Sequence, residues 1–231
     1  MRTVFCAVLL VTTLGLLSCG PPAAETSGEN LPVRISSPVD RGEGMALWET
    51  LDRRSSLRAF VETPVELEVL SAVLWAATGF PTHATSGATR TAPSAGATHP
   101  LTIFALVGNG SDLEPGLYRY DPAREVLKPM ITRDLRPDVA RAALGQEAIA
   151  GAPVSVIIAA DYDRTTDRYG ERGVRYVHME VGYASQNVHL ACAALGLGSV
   201  SIGAFDDDEL AAILGTDLAP LMIIPLGYSG D

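Results

Sequence analysis

The chain has 231 residues, of which 47% are hydrophobic and 19% charged, and it carries a formal net charge of −10. An acidic chain whose charges of both signs are scattered is a poor partner for nucleic-acid phosphates, and it offers no basic segment to an anionic membrane surface. The composition therefore excludes nucleic-acid-binding proteins and proteins that attach to membranes through basic patches.

The N-terminus has the layout of a secretory signal peptide. Arg2 precedes an apolar run over residues 4–17 that is too short to span a membrane. Residues 16–19, Leu-Leu-Ser-Cys, resemble the bacterial lipobox, in which cleavage precedes a cysteine that then carries lipid. We therefore expect a lipoprotein signal peptide over residues 1–18, lipidation of Cys19 and an exported protein anchored to a membrane on the periplasmic or cell-surface side. The alternative is an ordinary signal peptide with an incidental cysteine.

The composition changes after the cleavage site and again near residue 46. Residues 19–45 are rich in proline, glycine, serine and charge, which predicts a flexible tether. Residues 46–231 suit one domain with a single core. Once Cys6 is removed and Cys19 is lipidated, Cys192 is the remaining thiol, and its apolar neighbours favour a core residue over a nucleophile.

Hydrophobic periodicity predicts helices and strands that do not follow a strict βαβ rhythm. The first helix carries an apolar stripe at Leu47, Trp48 and Leu51, and a clearer helix runs from Pro64 to Gly79. Further helices are predicted over residues 136–145, 171–195 and 206–214, and strands over 101–107, 116–120, 153–160, 199–203 and 221–226. This order favours an α+β fold with a mixed central sheet flanked by helices.

Several common motifs of cofactor and metal chemistry are missing from the sequence. The glycines at 196, 198 and 203 follow a helix and lead into a strand, which is the reverse of a dinucleotide-binding fingerprint. His178 and His189 share a helix, but about 16 Å of helical rise separates them, too far for one metal ion. The sequence therefore supports no metal site.

Two polar segments are candidates for ligand binding. In RRSSLRAF, residues 53–60, an extended backbone would place Arg54, Ser56 and Arg58 on one side, where they could converge on an anion. The alternative is a solvated basic turn. RTAPSAGATHP, residues 90–100, leads directly into a strand and is either a plain connector or a loop whose backbone lies against a ligand, because Gly96 permits close approach.

Together these segments resemble the nitroreductase superfamily, and more specifically its SagB/ThcOx-type branch of dehydrogenases. The matching stretches are RRSSLRAF, VLWAATG, RTAPSAGATHPL, GLYRYDP and the long segment from RYGERG to IGAFDD, in the family's order over about residues 46–228. The resemblance implies an FMN-binding nitroreductase-like α+β fold, and usually a homodimer with the flavin at the subunit interface.

The resemblance also implies which residues bind the flavin. Arg54, Ser56 and Arg58 would hold the phosphate and ribityl chain of FMN. The PSAG stretch would lie along the isoalloxazine ring, and the IGAF stretch would offer backbone donors near its reactive edge. The residues concerned are Pro93, Ser94, Ala95 and Gly96 in the first stretch and Gly203 and Ala204 in the second. Asn187 matches a family position that we interpret as structural.

The expected function is that of an FMN-dependent oxidoreductase that passes two electrons between a small-molecule donor and a small-molecule acceptor. One alternative is a non-catalytic flavin- or ligand-binding lipoprotein, and another is a peptide-tailoring azoline dehydrogenase. Azoline-oxidising members carry a Lys-Tyr pair where this chain has Arg168-Tyr169, and an arginine cannot act as a general base at ordinary pH. Thr89, in TSGATR, resembles a residue that accepts covalent FMN, although His83 replaces the usual upstream aspartate.

Overall fold

The computed structural model describes residues 31–35, 45–82, 90–108 and 113–230. The predicted signal peptide, Cys19, most of the predicted tether and Thr89 lie outside these described residues. In the part of the chain that the structure describes, no helix is both long and apolar enough to cross a membrane.

One sheet forms the centre of the domain, and its seven described strands have the order β1-β4-β3-β2-β5-β7-β6. The strands are β1 (Val33–Arg34), β2 (Leu101–Val107), β3 (Gly116–Asp121), β4 (Val126–Ile131), β5 (Val154–Ala160), β6 (Gly198–Ser199) and β7 (Ala219–Gly227). Every pair of neighbouring strands is antiparallel. The α+β class is confirmed, whereas the sheet, which we expected to be mixed, is antiparallel; the isolated bridge between Ser56 and Ser199 is parallel.

Helices cover both faces of this sheet. They are α1 (Leu47–Arg53), α2 (Leu67–Thr78), α3 (Arg136–Ala142), α4 (Glu147–Gly151), α5 (Asp163–Tyr169), α6 (Arg172–Ala194) and α7 (Asp207–Leu214). Alternation along β2 shows how the layers form, because Ile103 and Ala105 pack with α2 and α6 while Phe104 and Leu106 pack with α3, α4 and α7 on the opposite face. The domain therefore has two apolar layers, one on each side of the sheet.

Two predicted elements are shorter than expected, and each has a local cause. The helix predicted over residues 136–145 ends at Ala142, because Leu144 and Gly145 adopt positive φ angles of 57° and 76°. The strand predicted over 199–203 is regular only at Gly198–Ser199, although Ile202 still bridges Ile223 in the same register. Pro225 interrupts the ladder between these points because it has no N–H to donate.

Part of the predicted tether is attached to the sheet. Val33 and Arg34 pair with Leu127 and Val126 of β4, and Ile35 is buried. A flexible segment would not bury an isoleucine, so the tether prediction is wrong for these residues.

The apolar stripe predicted on α1 does not pack into the core of its own chain. Leu47, Trp48 and Leu51 are 58%, 80% and 42% exposed. The helix itself forms as expected, so the periodicity was informative about the helix but not about what covers its apolar face.

Candidate functional site

The turn formed by Pro93–Gly96 is held in a strained conformation in front of β2. Gly96, Ala97 and His99 all have positive φ angles, of 58°, 55° and 46°. For residues other than glycine such angles cost of order 1–3 kcal/mol each, and they persist only where the surroundings impose them. Ser94 supplies one of these restraints, because its Oγ accepts a 2.9 Å hydrogen bond from the His99 N–H.

Helix α5 fixes the same turn from outside. Arg168 Nη1 donates a 2.9 Å hydrogen bond to the Gly96 carbonyl, and the hydroxyls of Thr98 and Thr165 lie 2.8 Å apart. A Cβ added to Gly96 would lie 2.4 Å from the Tyr169 hydroxyl and 2.8 Å from Arg168 Nη1. The backbone angle therefore favours glycine at this position, and the ends of the Arg168 and Tyr169 side chains would have to shift to admit a Cβ.

Replacing Gly96 with alanine is expected to lower the free energy of unfolding by about 1–3 kcal/mol. A matched control is Gly151→Ala at the end of α4, where an added Cβ meets nothing within 4 Å and the change should be neutral or slightly stabilising. Urea unfolding of both variants measures the difference. Equal stabilities would show that the turn does not require glycine.

Glu180 lies beneath this turn and was not identified from the sequence. Its side chain is 5% exposed, and it is hydrogen-bonded to Ser94. Burial is the main cause of its pKa being raised, which favours the protonated acid. One sequence signal was available, because Glu180 stands on the otherwise apolar stripe of α6 between Val177 and Ala184.

A shallow groove lies on the outer side of the same turn. Pro93, Ser94 and Ala95 form one wall, and Tyr176, Met179, Glu180 and Tyr183 of α6 form the other. The opening is mostly apolar, with the Glu180 carboxyl at its polar edge. A flat aromatic group could pack against this surface.

The second candidate segment, which contains Arg54, Ser56 and Arg58, lies along β6. Its backbone is extended, Ser56 bridges Ser199, and the Leu57 N–H donates a 3.1 Å hydrogen bond to the Ser199 carbonyl. Arg53 pairs with Glu49 at 2.6 Å, but Arg54 and Arg58 form no ion pair with any described residue. The extended backbone expected from the sequence is therefore present, and neither guanidinium group is paired with a described residue.

His189 connects α6 to this segment and was also missed as a site residue. Its Nδ1 lies 2.8 Å from Ser199 Oγ and its Nε2 lies 2.7 Å from Ser201 Oγ. The pKa of His189 is lowered by burial and, to a smaller extent, by the nearby charge of Arg54. A neutral imidazole between two hydroxyls holds the backbone that leads to Gly203. Sequence spacing could not reveal this contact, because it joins a helix to a later strand.

Gly203 and Ala204 follow at the exposed end of that backbone. A Cβ added to Gly203 would meet nothing within 4 Å, and its φ angle is not positive. Nothing within the described chain therefore requires glycine there. The exposed, unobstructed backbone at Gly203 could therefore be approached closely by a ligand.

The two predicted segments contact α6 at different positions. The Pro93–Gly96 turn contacts α6 at Glu180, whereas Arg54 and Ser199 approach it at His189. Glu180 and His189 are nine residues apart on α6, which corresponds to a rise of about 13 Å along the helix axis. The turn and the arginine segment therefore occupy opposite halves of α6, as two separate parts of a site.

Two other residues have structural roles. Asn187 donates a 3.0 Å hydrogen bond from Nδ2 to the Ala76 carbonyl and so ties α6 to α2, in agreement with the structural role expected for it. Cys192 is fully buried, and burial raises the pKa of its thiol to about 12. A protonated, inaccessible thiol is a core residue, as its neighbours indicated.

Among the described residues, no three His, Cys, Asp or Glu side chains are grouped to hold a metal ion.

Comparisons with known proteins agree with this architecture. Residues 51–228 match the model of the nitroreductase family. A protein of Methanocaldococcus jannaschii, named as a candidate nitroreductase, is 44% identical over 185 residues, which are 80% of this chain and 92% of that protein. The crystal structure of a candidate nitroreductase from Ralstonia eutropha has a TM-score of 0.74 at 29% identity and covers 91% of this chain and 94% of its own.

A more distant relative is the microcin B17-processing protein McbC of Escherichia coli. It is 26% identical over 147 residues, which are 60% of this chain and 54% of McbC. The fold, the length of the family match and the identity to the M. jannaschii protein lead to one conclusion: the chain belongs to the nitroreductase family, a family of oxidoreductases.

Proposed function

We propose that this protein is an FMN-dependent oxidoreductase that passes two electrons from a small-molecule donor to a small-molecule acceptor. Nitroreductase-family proteins typically bind FMN. The observation that carries the proposal is the extended segment in which Arg54 and Arg58, both without an ion-pair partner among the described residues, flank Ser56, which bridges Ser199.

These residues fit FMN better than a dinucleotide. A single terminal phosphate dianion can accept charge-assisted hydrogen bonds from two guanidinium groups and one hydroxyl. FMN, when bound, would supply the two-electron chemistry, and the protein would orient it. Arg54, Ser56 and Arg58 would hold the phosphate and ribityl chain, while Gly203 and Ala204 would present backbone N–H groups to the ring.

The flavin site would be completed by a second copy of the chain. The Pro93–Gly96 turn and its groove lie about 13 Å along α6 from the arginine segment, so one chain offers two half-sites. The exposed faces of α1 and α6 also carry large apolar side chains, including Trp48 at 80%, Met179 at 47% and Tyr183 at 48% exposed. A homodimer would cover these side chains and place one copy's turn against the other copy's flavin.

The visible spectrum of the purified protein tests the proposal first. Reconstitution with FMN should give the flavin absorption bands, and the cofactor released on denaturation should have the mass of FMN. Steady-state turnover with NADH or NADPH and a nitroaromatic or quinone acceptor then tests catalysis. A protein that stays colourless after reconstitution would refute flavin binding. A yellow protein that no donor reduces would support the non-catalytic binding alternative.

A peptide-tailoring function is the second candidate, and the relationship to McbC favours it. The contacts of the Arg168-Tyr169 pair argue against it, because Arg168 donates to Gly96 and cannot serve as a base. Incubation of the flavin-loaded protein with azoline-containing peptides, followed by mass spectrometry for a loss of 2 Da, distinguishes the two functions.

We also propose that the protein is an exported lipoprotein acylated at Cys19. Several acyl chains, at about 0.8 kcal/mol for each buried CH₂ group, would hold it on a membrane almost permanently. Cys19→Ala is expected to abolish labelling by radioactive palmitate and to release the protein or stall its processing. Cys192→Ala, which removes the buried thiol, is the control and should fractionate with membranes. Full membrane retention of the Cys19→Ala variant would contradict lipidation.

A further inference from the structure

A polar cavity of about 140 Å³ lies beside the segments that flank the Pro93–Gly96 turn. The side chains that define its chemistry come from β3, α5, α6 and the segments on either side of the turn: Arg90, His99, Arg119, Tyr120, Arg164 and Glu180. Glu180 lines both the cavity and the groove and so forms the wall between them.

The charges that face this cavity are unbalanced. Among the described residues, three arginines line the cavity, whereas Glu180 is the one acidic lining residue. Arg119 and Arg164 are exposed, and neither forms an ion pair with a described residue. One carboxyl can offset at most one of the three positive charges, and burial raises the pKa of Glu180. The result is an entrance with positive potential that narrows toward a buried polar interior.

Two buried polar atoms in the interior have no hydrogen-bond partner among the described residues. They are Nη1 of Arg90 and the hydroxyl of Tyr120, whose residue is only 3% exposed. The Arg90 guanidinium carbon lies 4.0 Å from the centre of the Phe80 ring, a contact that fixes its orientation without hydrogen bonds. Burying these two polar atoms without hydrogen bonds costs free energy, unless a ligand in the cavity accepts hydrogen bonds from them.

We propose that this cavity binds a small planar oxyanion, of the carboxylate or nitrite and nitrate class, with Arg90 and Tyr120 as its direct partners. Arg119 and Arg164 at the entrance attract the anion. On this measure one water needs about 10–15 Å³, so the cavity has room for an anion of a few heavy atoms. Water could fill the space, but it would not balance the charge of Arg90. The site is built from one chain and does not depend on the proposed flavin.

Isothermal titration calorimetry of the purified protein at constant ionic strength tests the site directly. Sodium acetate, formate, nitrite and nitrate are the probes, chloride is the spherical anion and benzoate is the oversized carboxylate. We expect saturable binding of at least one small planar anion, weaker binding of chloride and none of benzoate. The acetate and nitrate titrations distinguish a carboxylate site from a nitrogen-oxyanion site. Absence of saturable binding by all the small anions, or equal binding of benzoate, would overturn the proposal.

Variants show whether the anion occupies this cavity. Arg90→Gln should weaken binding at least about tenfold, and Tyr120→Phe, which keeps the aromatic ring in the core, should weaken it by about two- to tenfold. Arg133→Gln removes the same charge from a residue that pairs with Asp138 away from the cavity and should leave affinity unchanged. If Arg90→Gln does not fold, Arg119→Gln at the exposed entrance replaces it, with a weaker but measurable loss. Unchanged affinity in both Tyr120→Phe and Arg119→Gln, or equal losses in Arg133→Gln, would refute the assignment.

Discussion

Replacing Arg54 with alanine is expected to weaken FMN binding by roughly ten- to a hundredfold. Hydrogen bonds to charged groups contribute about 1.5–3 kcal/mol each, and about 1.4 kcal/mol corresponds to a tenfold change in affinity. Arg54 has no ion-pair partner among the described residues, so its loss leaves no buried carboxylate behind. Quenching of flavin fluorescence on titration of the apoprotein measures the affinity, and far-UV circular dichroism should stay unchanged.

Two controls separate a phosphate clamp from a general effect of charge. Arg124→Ala removes the same charge from an exposed side chain that pairs with Asp121 and should leave FMN affinity unchanged. Riboflavin lacks the phosphate, so it should bind the parent weakly and bind Arg54→Ala with similar affinity. Equal affinities of riboflavin and FMN for the parent protein would show that Arg54 and Arg58 do not clamp a phosphate.

Replacing Gly182 with glutamate is expected to produce a monomer that no longer retains FMN. Gly182 lies on the exposed face of α6 near Met179 and Tyr183, and a Cβ added there would meet nothing within 4 Å. A glycine inside a helix costs about 0.5–1 kcal/mol relative to alanine, and no contact with the described residues accounts for Gly182. Close approach of α6 from a second copy of the chain would explain why position 182 is a glycine. A glutamate buried there would prevent that approach.

Light scattering of the flavin-loaded protein measures this effect, and the retained flavin is read from the absorbance after gel filtration. Gly151→Glu on α4 is the matched control, because its added side chain also enters open space and α4 packs on the opposite face of the sheet. The control should remain dimeric and yellow. A Gly182→Glu variant that is monomeric but keeps its FMN would refute a site shared between two chains.

The sequence by itself determined the elements whose pattern is local. Helix α6 has a long apolar stripe, and β2 and β5 are mostly apolar segments, so their type and approximate bounds could be predicted from the sequence pattern. Helix α5 was missed because only Thr165 of its seven residues is buried, which leaves no stripe to recognise. Strand β4 was missed because Lys128 and Pro129 break its pattern, and its pairing with β3 across a bulge makes it a strand.

The candidate site, like the fold, could be predicted only in part from the sequence. The grouping of Arg54, Ser56 and Arg58 could be predicted because alternate residues of an extended chain lie on the same side. Only the tertiary structure placed Ser199 and His189 beside that segment, since the bridge from Ser56 to Ser199 joins residues far apart in the chain. Burial by distant segments likewise raises the pKa of Glu180. Local backbone geometry depends on a few neighbouring residues and can therefore be predicted from the sequence. Burial and electrostatic environment depend on which distant segments pack together, so only the tertiary structure reveals them.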